Sequence, residues 1–86
     1  MRVWNKRERR VPSHAVYVGR PTRYGNPFII GVDGTRDEVV EMYEVYAREE
    51  FTREELLKLR GLDLVCWCAP LRCHADVLVK LVEELV

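Results

Sequence analysis

The sequence predicts one small α/β domain with the order strand, strand, helix, helix, strand, helix, in which helices pack on a short sheet with a central parallel strand. The chain has 86 residues, which is enough for one hydrophobic core and too few for two. Two helix starts carry capping boxes. A short apolar run near the C-terminal end precedes an amphipathic segment, which is typical of a strand followed by a helix. We therefore interpret residues 1–86 as a single domain.

The first third of the chain predicts two strands and a loop. Val3–Trp4 and Ala15–Gly19 are short runs rich in β-branched and aromatic residues, as expected of strands. Arg20–Phe28 contains two prolines, a glycine and an asparagine, so it predicts a loop. Ile29–Gly34 then predicts a short extended segment that closes with an Asp-Gly turn.

Two helices follow, and each begins at a capping box. Thr35 pairs with Glu38, and Thr52 pairs with Glu55. In each pair the threonine hydroxyl and the glutamate carboxylate accept from N–H groups that have no partner within the helix. Gly61 ends the second helix, because glycine readily adopts the left-handed conformation found after helix C-termini.

The last third predicts a buried strand and a closing helix. Leu62–Cys68 is an apolar run that Pro70 ends, and an amphipathic helix begins at Arg72 or Cys73. We expect the interior, parallel strand to be Leu62–Trp67, with the last helix packed over it. The predicted core comprises Val16, Val18, Val40, Tyr43, Leu56, Leu64, Val77, Leu78 and Leu81.

Composition excludes few classes of function. The 14 basic and 14 acidic residues give no net charge, which argues against nucleic acid as the partner, although the basic segment Arg2–Arg10 keeps such a contact open. No apolar run approaches the ~20 residues that span a bilayer, so we expect a cytoplasmic protein without a membrane partner. The excess of arginine over lysine hints at a thermophilic source.

Cys66, Cys68, Cys73 and His74 lie within nine residues and include every cysteine of the chain. Cys73 could be a thiolate stabilised by the N-terminus of the last helix. Alternatively, all four side chains could bind one Zn²⁺, although C-x-C-x4-C-H is not a familiar zinc spacing. Core packing with helix capping, and a disulfide between two of the cysteines, remain further alternatives.

Two motifs resemble one protein family. RPTRYGNPFIIGVDGTRDEV and GLDLVCWCAPLRCHADVL resemble the family called domain of unknown function 4326, with a match over roughly Val16 to Leu78. The family supplies no established activity. The resemblance implies that one signature contains the loop residues Arg20, Arg23, Tyr24, Gly25, Asn26 and Pro27 and the C-terminal residues Cys66, Trp67, Cys68, Pro70, Cys73, His74 and Asp76.

The leading functional hypothesis is a small domain that binds or acts on an anionic ligand, for which a nucleotide-like compound is one candidate. Guanidinium groups suit phosphate or carboxylate, and we expect the Arg20–Phe28 loop to lie against the turn around Cys68–Cys73. Whether the protein is an enzyme stays open. In this hypothesis Cys73 is a catalytic thiolate, His74 donates a hydrogen bond or moves a proton, and the ligand is bound by Arg20, Arg23, Tyr24, Asn26, Cys68 and Asp76.

The alternative hypothesis is a zinc-stabilised interaction module. The metal ligands would be Cys66, Cys68, Cys73 and His74, and Arg2–Arg10 would provide a contact to nucleic acid. Zinc is thus the one cofactor that the sequence suggests.

Overall fold

A computed structural model describes residues 1–86 and has three strands and three helices in the predicted order. No helix is both long and apolar enough to cross a membrane. The elements are β1 (Val3–Asn5), β2 (Val16–Tyr17), α1 (Arg36–Glu50), α2 (Arg53–Leu57), β3 (Leu64–Cys66) and α3 (His74–Glu84).

The three strands form one parallel sheet in the order β1-β3-β2. In the register of this sheet, Leu64 pairs with Val3 on one side and with Val16 on the other. All three residues of β3 are buried, as expected for the middle strand of a parallel sheet covered by helices. The predicted interior parallel strand is therefore confirmed, and its carboxyl end falls at Cys66.

The segment Ile29–Gly34 does not become a strand. Its only bridge joins Ile30 to Gly34, and the carboxylate of Asp33 accepts from the N–H of Ile29 at 2.8 Å. Gly31 has φ 85°, a left-handed conformation that favours glycine. Because these local hydrogen bonds close the chain on itself, the segment forms a turn, and the prediction of an extended segment was wrong.

The helices begin where the capping boxes predict. The hydroxyl of Thr35 accepts from the N–H of Glu38, and that of Thr52 accepts from the N–H of Glu55. In return, each glutamate carboxylate accepts from the backbone N–H of its threonine. The second helix is shorter than predicted, because it ends at Leu57 and turns lead from there to Gly61.

One hydrophobic cluster fills the space between the sheet and the helices. Tyr43, Leu64 and Leu78 are fully buried within it. Every predicted core residue is buried except Val16, which is half-buried because β2 is an edge strand. This core holds α3 beneath the carboxyl end of β3, which is the region that carries the cysteines.

Candidate functional site

A cavity of about 260 Å³ lies where the loop after β2 meets the turn between β3 and α3. The carboxyl ends of parallel strands and the N-terminus of a following helix meet at such a position, which is where open α/β sheets usually bind ligands. Residues from both motifs of the signature, the loop motif and the cysteine motif, line the wall of this cavity. The lining residues are Gly19, Arg20, Asn26, Phe28, Ile29, Ile30, Val39, Cys66, Trp67, Cys68, Cys73 and His74.

The turn after β3 is fastened by Asn5, which ends β1. Its amide nitrogen donates to the carbonyl of Trp67 at 3.0 Å and to that of Ala69 at 2.9 Å. Its amide oxygen accepts from the N–H of Arg7 at 2.9 Å. Asn5 therefore sets the shape of the turn that presents the cysteines to the cavity.

The loop after β2 is fixed by its own short contacts. Thr22 donates its hydroxyl to the carbonyl of Gly19 at 2.6 Å. The hydroxyl of Tyr17 donates to the carbonyl of Arg20 at 2.9 Å. A Cβ atom on Gly25 would lie 3.1 Å from the Cα of Arg20, so a side chain there would press on the backbone that positions this arginine.

Arg20 is the one arginine or lysine of the cavity wall. Its side chain is exposed and takes part in none of the ion pairs of the protein. The wall contains no Asp or Glu. The cavity thus offers a guanidinium group that has no acidic partner within the protein.

Arg23, in contrast, lies outside the cavity wall. Its guanidinium group pairs with Glu50 at 2.9 Å and with Glu55 at 2.8 Å. The bonds from Arg23 and from the N–H of Thr52 lower the pKa of Glu55 to about 2. Arg23 joins the loop to the end of α1 and to α2, so it has structural partners and does not share the cavity wall with Arg20.

Tyr24 and Asp76 are also absent from the cavity wall. The Tyr24 hydroxyl donates to the carbonyl of Glu55 at 2.7 Å, and its own carbonyl accepts from Tyr43 at 2.6 Å. Asp76 accepts from the N–H of Cys73 at 2.9 Å, as part of the capping box of α3. Both residues therefore stabilise the frame of the site.

Asn26 lies in the wall, but its amide also anchors the loop. The nitrogen donates to the carbonyl of Val39 in α1 at 3.2 Å, and the oxygen accepts from the N–H of Phe28 at 2.9 Å. One amide hydrogen and one lone pair remain for a ligand. Asn26 thus holds the loop against α1 and leaves a limited capacity for contact with a ligand.

Cys66 and Cys73 are brought into direct contact at the inner end of the cavity. Their sulfur atoms are 3.0 Å apart, and the two side chains are 1% and 3% exposed. Hydrogen bonds from Cys73 and from the backbone N–H groups of Cys68 and Ala69 lower the pKa of Cys66 despite its burial. The same sulfur–sulfur bond and burial raise the pKa of Cys73. The N–H group of Ala75 acts in the opposite direction on Cys73. Only one of the two thiols can ionise at a time while they share this hydrogen bond, and Cys66, with two backbone N–H groups, competes with Cys73, the thiolate of the sequence hypothesis.

His74 is buried at the first position of α3, and its Nε2 atom lies 2.7 Å from the carbonyl oxygen of Val18. Burial lowers the pKa of His74, and the charge of Arg20 acts in the same direction, while Asp76 opposes it. A neutral imidazole donates from Nε2 to that carbonyl and leaves Nδ1 as an acceptor. His74 thereby ties α3 to the residue that follows β2 and leaves only one nitrogen for any proton transfer.

We expect the burial of neutral His74 to make the protein less stable in mild acid. The unfolded chain takes up a proton near the ordinary pKa of 6.5, whereas the folded chain does so only at lower pH. The free energy of unfolding should therefore fall as the pH drops below about 6.5. Chemical denaturation between pH 7 and pH 5 measures this, and the loss should be smaller in His74→Gln, whose amide can still donate to Val18. Equal pH dependence of the two proteins would contradict the prediction.

The structure does not gather a metal-ligand set. No group of three or more His, Cys, Asp or Glu side chains is arranged to hold a metal ion. His74 points its Nε2 atom at Val18, and Cys66 and Cys73 bond each other. The geometry therefore does not support the zinc alternative.

The sequence placed Trp67 in the shared signature but did not assign it to the ligand site. The half-exposed Trp67 lines the cavity, and its indole N–H donates to the hydroxyl of Tyr17 at 3.1 Å. The ammonium of Lys6 lies 5.4 Å from the centroid of the indole ring. An exposed tryptophan between two cysteines was the available signal, because large aromatic residues on turns often contact ligands.

These features define a class of protein: a small parallel α/β domain with a ligand-sized cavity at the carboxyl edge of its sheet, lined by thiols, an arginine and a tryptophan. The chain belongs to the family described as domain of unknown function (DUF4326), whose model matches residues 1–84. The resemblance expected from the two motifs is thereby confirmed.

One relative comes from a bacteriophage. The chain is 34% identical over 76 residues to an uncharacterized 12.4 kDa protein in the nrdA-td intergenic region of Enterobacteria phage T4. The alignment covers 81% of this chain and 68% of the phage protein. No solved structure matches the chain.

Proposed function

We propose that the protein binds a small anionic ligand in the cavity between the loop after β2 and the turn before α3. The observation that carries this proposal is Arg20, an arginine without an acidic partner in a wall that contains no acid. The guanidinium group is exposed and pairs with no carboxylate of the protein, so its donors are free for a partner from solution. An anion from solution would supply the missing partner, and phosphate or carboxylate would match the fork of donors.

The N-terminus of α3 supports the same ligand chemistry. This helix begins at His74, at the cavity wall, and has 11 residues. The dipole of this helix favours negative charge near its start, although Asp76 and the sulfur of Cys73 already accept from the N–H groups of Cys73 and Ala75. Arg20 and the helix start would thus act on one anion from two sides.

The apolar part of the wall supports a ligand with a planar ring. Phe28, Ile29 and Ile30 form one part of the wall, and Trp67 forms another. Base–aromatic stacking contributes about 1–3 kcal/mol per base in proteins that bind single strands. A volume of about 260 Å³ is slightly below the usual range for drug-sized ligands, ~300–1,000 Å³. A phosphate or carboxylate carried on a small ring, such as part of a nucleotide, fits this description.

The test compares ligand binding by the wild type, Arg20→Ala and Arg23→Ala. Inorganic phosphate, nucleoside monophosphates and sugar phosphates are screened by thermal shift, and affinities are then measured by calorimetry. Charge-assisted hydrogen bonds contribute about 1.5–3 kcal/mol, so Arg20→Ala should weaken binding on the order of ten- to hundredfold. Arg23→Ala is the matched control, because its exposed ion pairs contribute at most about 1 kcal/mol to stability and lie outside the cavity.

Two results would overturn the proposal. One is the absence of any melting shift in the wild type at millimolar concentrations of every compound. The other is an equal loss of affinity in Arg20→Ala and Arg23→Ala, which would place the anion outside the cavity.

A further inference from the structure

The two buried cysteines form a pair whose chemistry is independent of the anion site. Cys66 ends β3, and Cys73 caps α3, yet the turn of six residues between them brings their sulfur atoms to 3.0 Å. Both side chains line the cavity. A reactant that enters the cavity therefore lies next to the pair, although the two residues are only 1% and 3% exposed.

The surroundings of the pair distinguish the two sulfurs. Cys66 receives the N–H groups of Cys68 and Ala69 as well as the S–H group of Cys73. Hydrogen bonds to a thiolate stabilise it, as helix and turn N–H groups do in reactive cysteines. Either sulfur can donate in the bond between them, and Cys73 receives one backbone N–H group, that of Ala75. Because Cys66 receives two such groups, we assign the thiolate to Cys66 and the proton to Cys73. One thiolate and one thiol in contact are the arrangement that a dithiol needs for stepwise oxidation.

We propose that Cys66 and Cys73 form a redox-active dithiol that reduces small disulfide compounds entering the cavity, with Cys66 as the attacking residue and Cys73 as the resolving residue. Formation of the S–S bond, about 2.05 Å long, requires the two sulfurs to approach by only about 1 Å from their present contact.

The reaction balances in two steps. First, the thiolate of Cys66 attacks one sulfur of the disulfide R–S–S–R, and the S–S bond breaks to leave a mixed disulfide and one R–S⁻. Second, Cys73 gives its proton to this R–S⁻ and attacks the sulfur of Cys66, which expels the second R–S⁻, and this takes up a proton from water. The protein loses two electrons and becomes the Cys66–Cys73 disulfide, while R–S–S–R gains them and becomes two thiols.

Cys68 provides a matched control within the same site. It lines the cavity and is half-buried, but it is bonded to neither of the other sulfurs. Its thiol should therefore remain free when the pair is oxidised.

The experiment uses the reduced, full-length protein and 2-hydroxyethyl disulfide, a small neutral disulfide, so that its result does not depend on the anion site. The protein has three free thiols, and oxidation should leave one. Peptide mass spectrometry should locate the new disulfide between Cys66 and Cys73. Cys73→Ser should stop at a mixed disulfide on Cys66, Cys66→Ser should form no intramolecular disulfide, and Cys68→Ser should still lose both remaining thiols.

Several outcomes would overturn the proposal. They are retention of all three thiols in the wild type, a disulfide that includes Cys68, and a Cys73→Ser protein that forms no mixed disulfide at Cys66. Circular dichroism establishes that each variant is folded. If a variant does not fold, competitive alkylation of the wild type at pH 7 tests the roles of the two cysteines instead. Cys66 should be modified before Cys73. The reverse order would exclude the assigned roles.

Discussion

Replacing Leu78 by alanine should lower the free energy of unfolding by about 2–5 kcal/mol. Leu78 is fully buried in the middle of α3, among the residues of the single core cluster. Its removal leaves a cavity where α3 packs on α1 and the sheet, and the surrounding backbone cannot fully close it. A domain of this size has a total stability of about 4–13 kcal/mol, so the variant should lose a large part of it.

Urea denaturation and thermal unfolding measure this loss. The melting temperature should fall by on the order of 10 °C or more. Val45→Ala is the control, because Val45 is 62% exposed on α1 and surface substitutions usually change stability by less than about 0.5 kcal/mol. A change below about 1 kcal/mol in Leu78→Ala would show that α3 is not packed as the structure describes.

Replacing Asn5 by alanine should destabilise the protein by about 1–3 kcal/mol and loosen the turn that carries the cysteines. The substitution removes the donors to the carbonyls of Trp67 and Ala69 and the acceptor for the N–H of Arg7. Polar groups left without a partner on folding cost about 1–3 kcal/mol when buried, and the Ala69 carbonyl is part of a half-buried contact.

Asn5→Asp is the isosteric comparison. It keeps the acceptor for Arg7 but turns a carboxylate oxygen toward two carbonyl oxygens, so it should destabilise the protein at least as much as alanine does. Chemical denaturation gives the stability. Hydrogen exchange of the Cys68 and Ala69 amides, which bond the sulfur of Cys66, reports on the turn and should accelerate in both variants. If Asn5→Asp had the stability and the amide exchange rates of the wild type, only the shape of the Asn5 side chain would matter, and the prediction would be wrong.

The local signals in the sequence were sufficient for most of the fold. The capping boxes at Thr35 and Thr52 involve residues three apart, so their hydrogen bonds do not depend on the remainder of the chain. The apolar run Leu62–Cys68 predicted a central parallel strand, because strands covered on both faces are largely apolar, and the observed strand is its middle part, Leu64–Cys66. Ile29–Gly34 was misjudged because a short apolar run next to an Asp-Gly turn fits a strand and a turn equally well.

The sequence predicted the position of the site but not the roles of its residues. The motifs around Arg20 and Cys66 indicated that the loop and the turn meet, and the cavity between them contains residues from both. The sequence did not distinguish Arg20 from Arg23, because the two arginines stand three residues apart in one loop. The partners that separate them, Glu50 and Glu55, come from a distant part of the chain.

The sequence by itself determined the order of elements, the helix starts, the interior strand and most of the core, since these follow from periodicity and from contacts between neighbours in the chain. Tertiary structure alone decided which arginine has no acidic partner, which two cysteines lie in contact and what Asn5 holds in place. These properties depend on hydrogen bonds between residues far apart in sequence, such as Asn5 with Ala69 and His74 with Val18. Such bonds form only when packing of the core brings the strands and α3 together, so no local pattern encodes them.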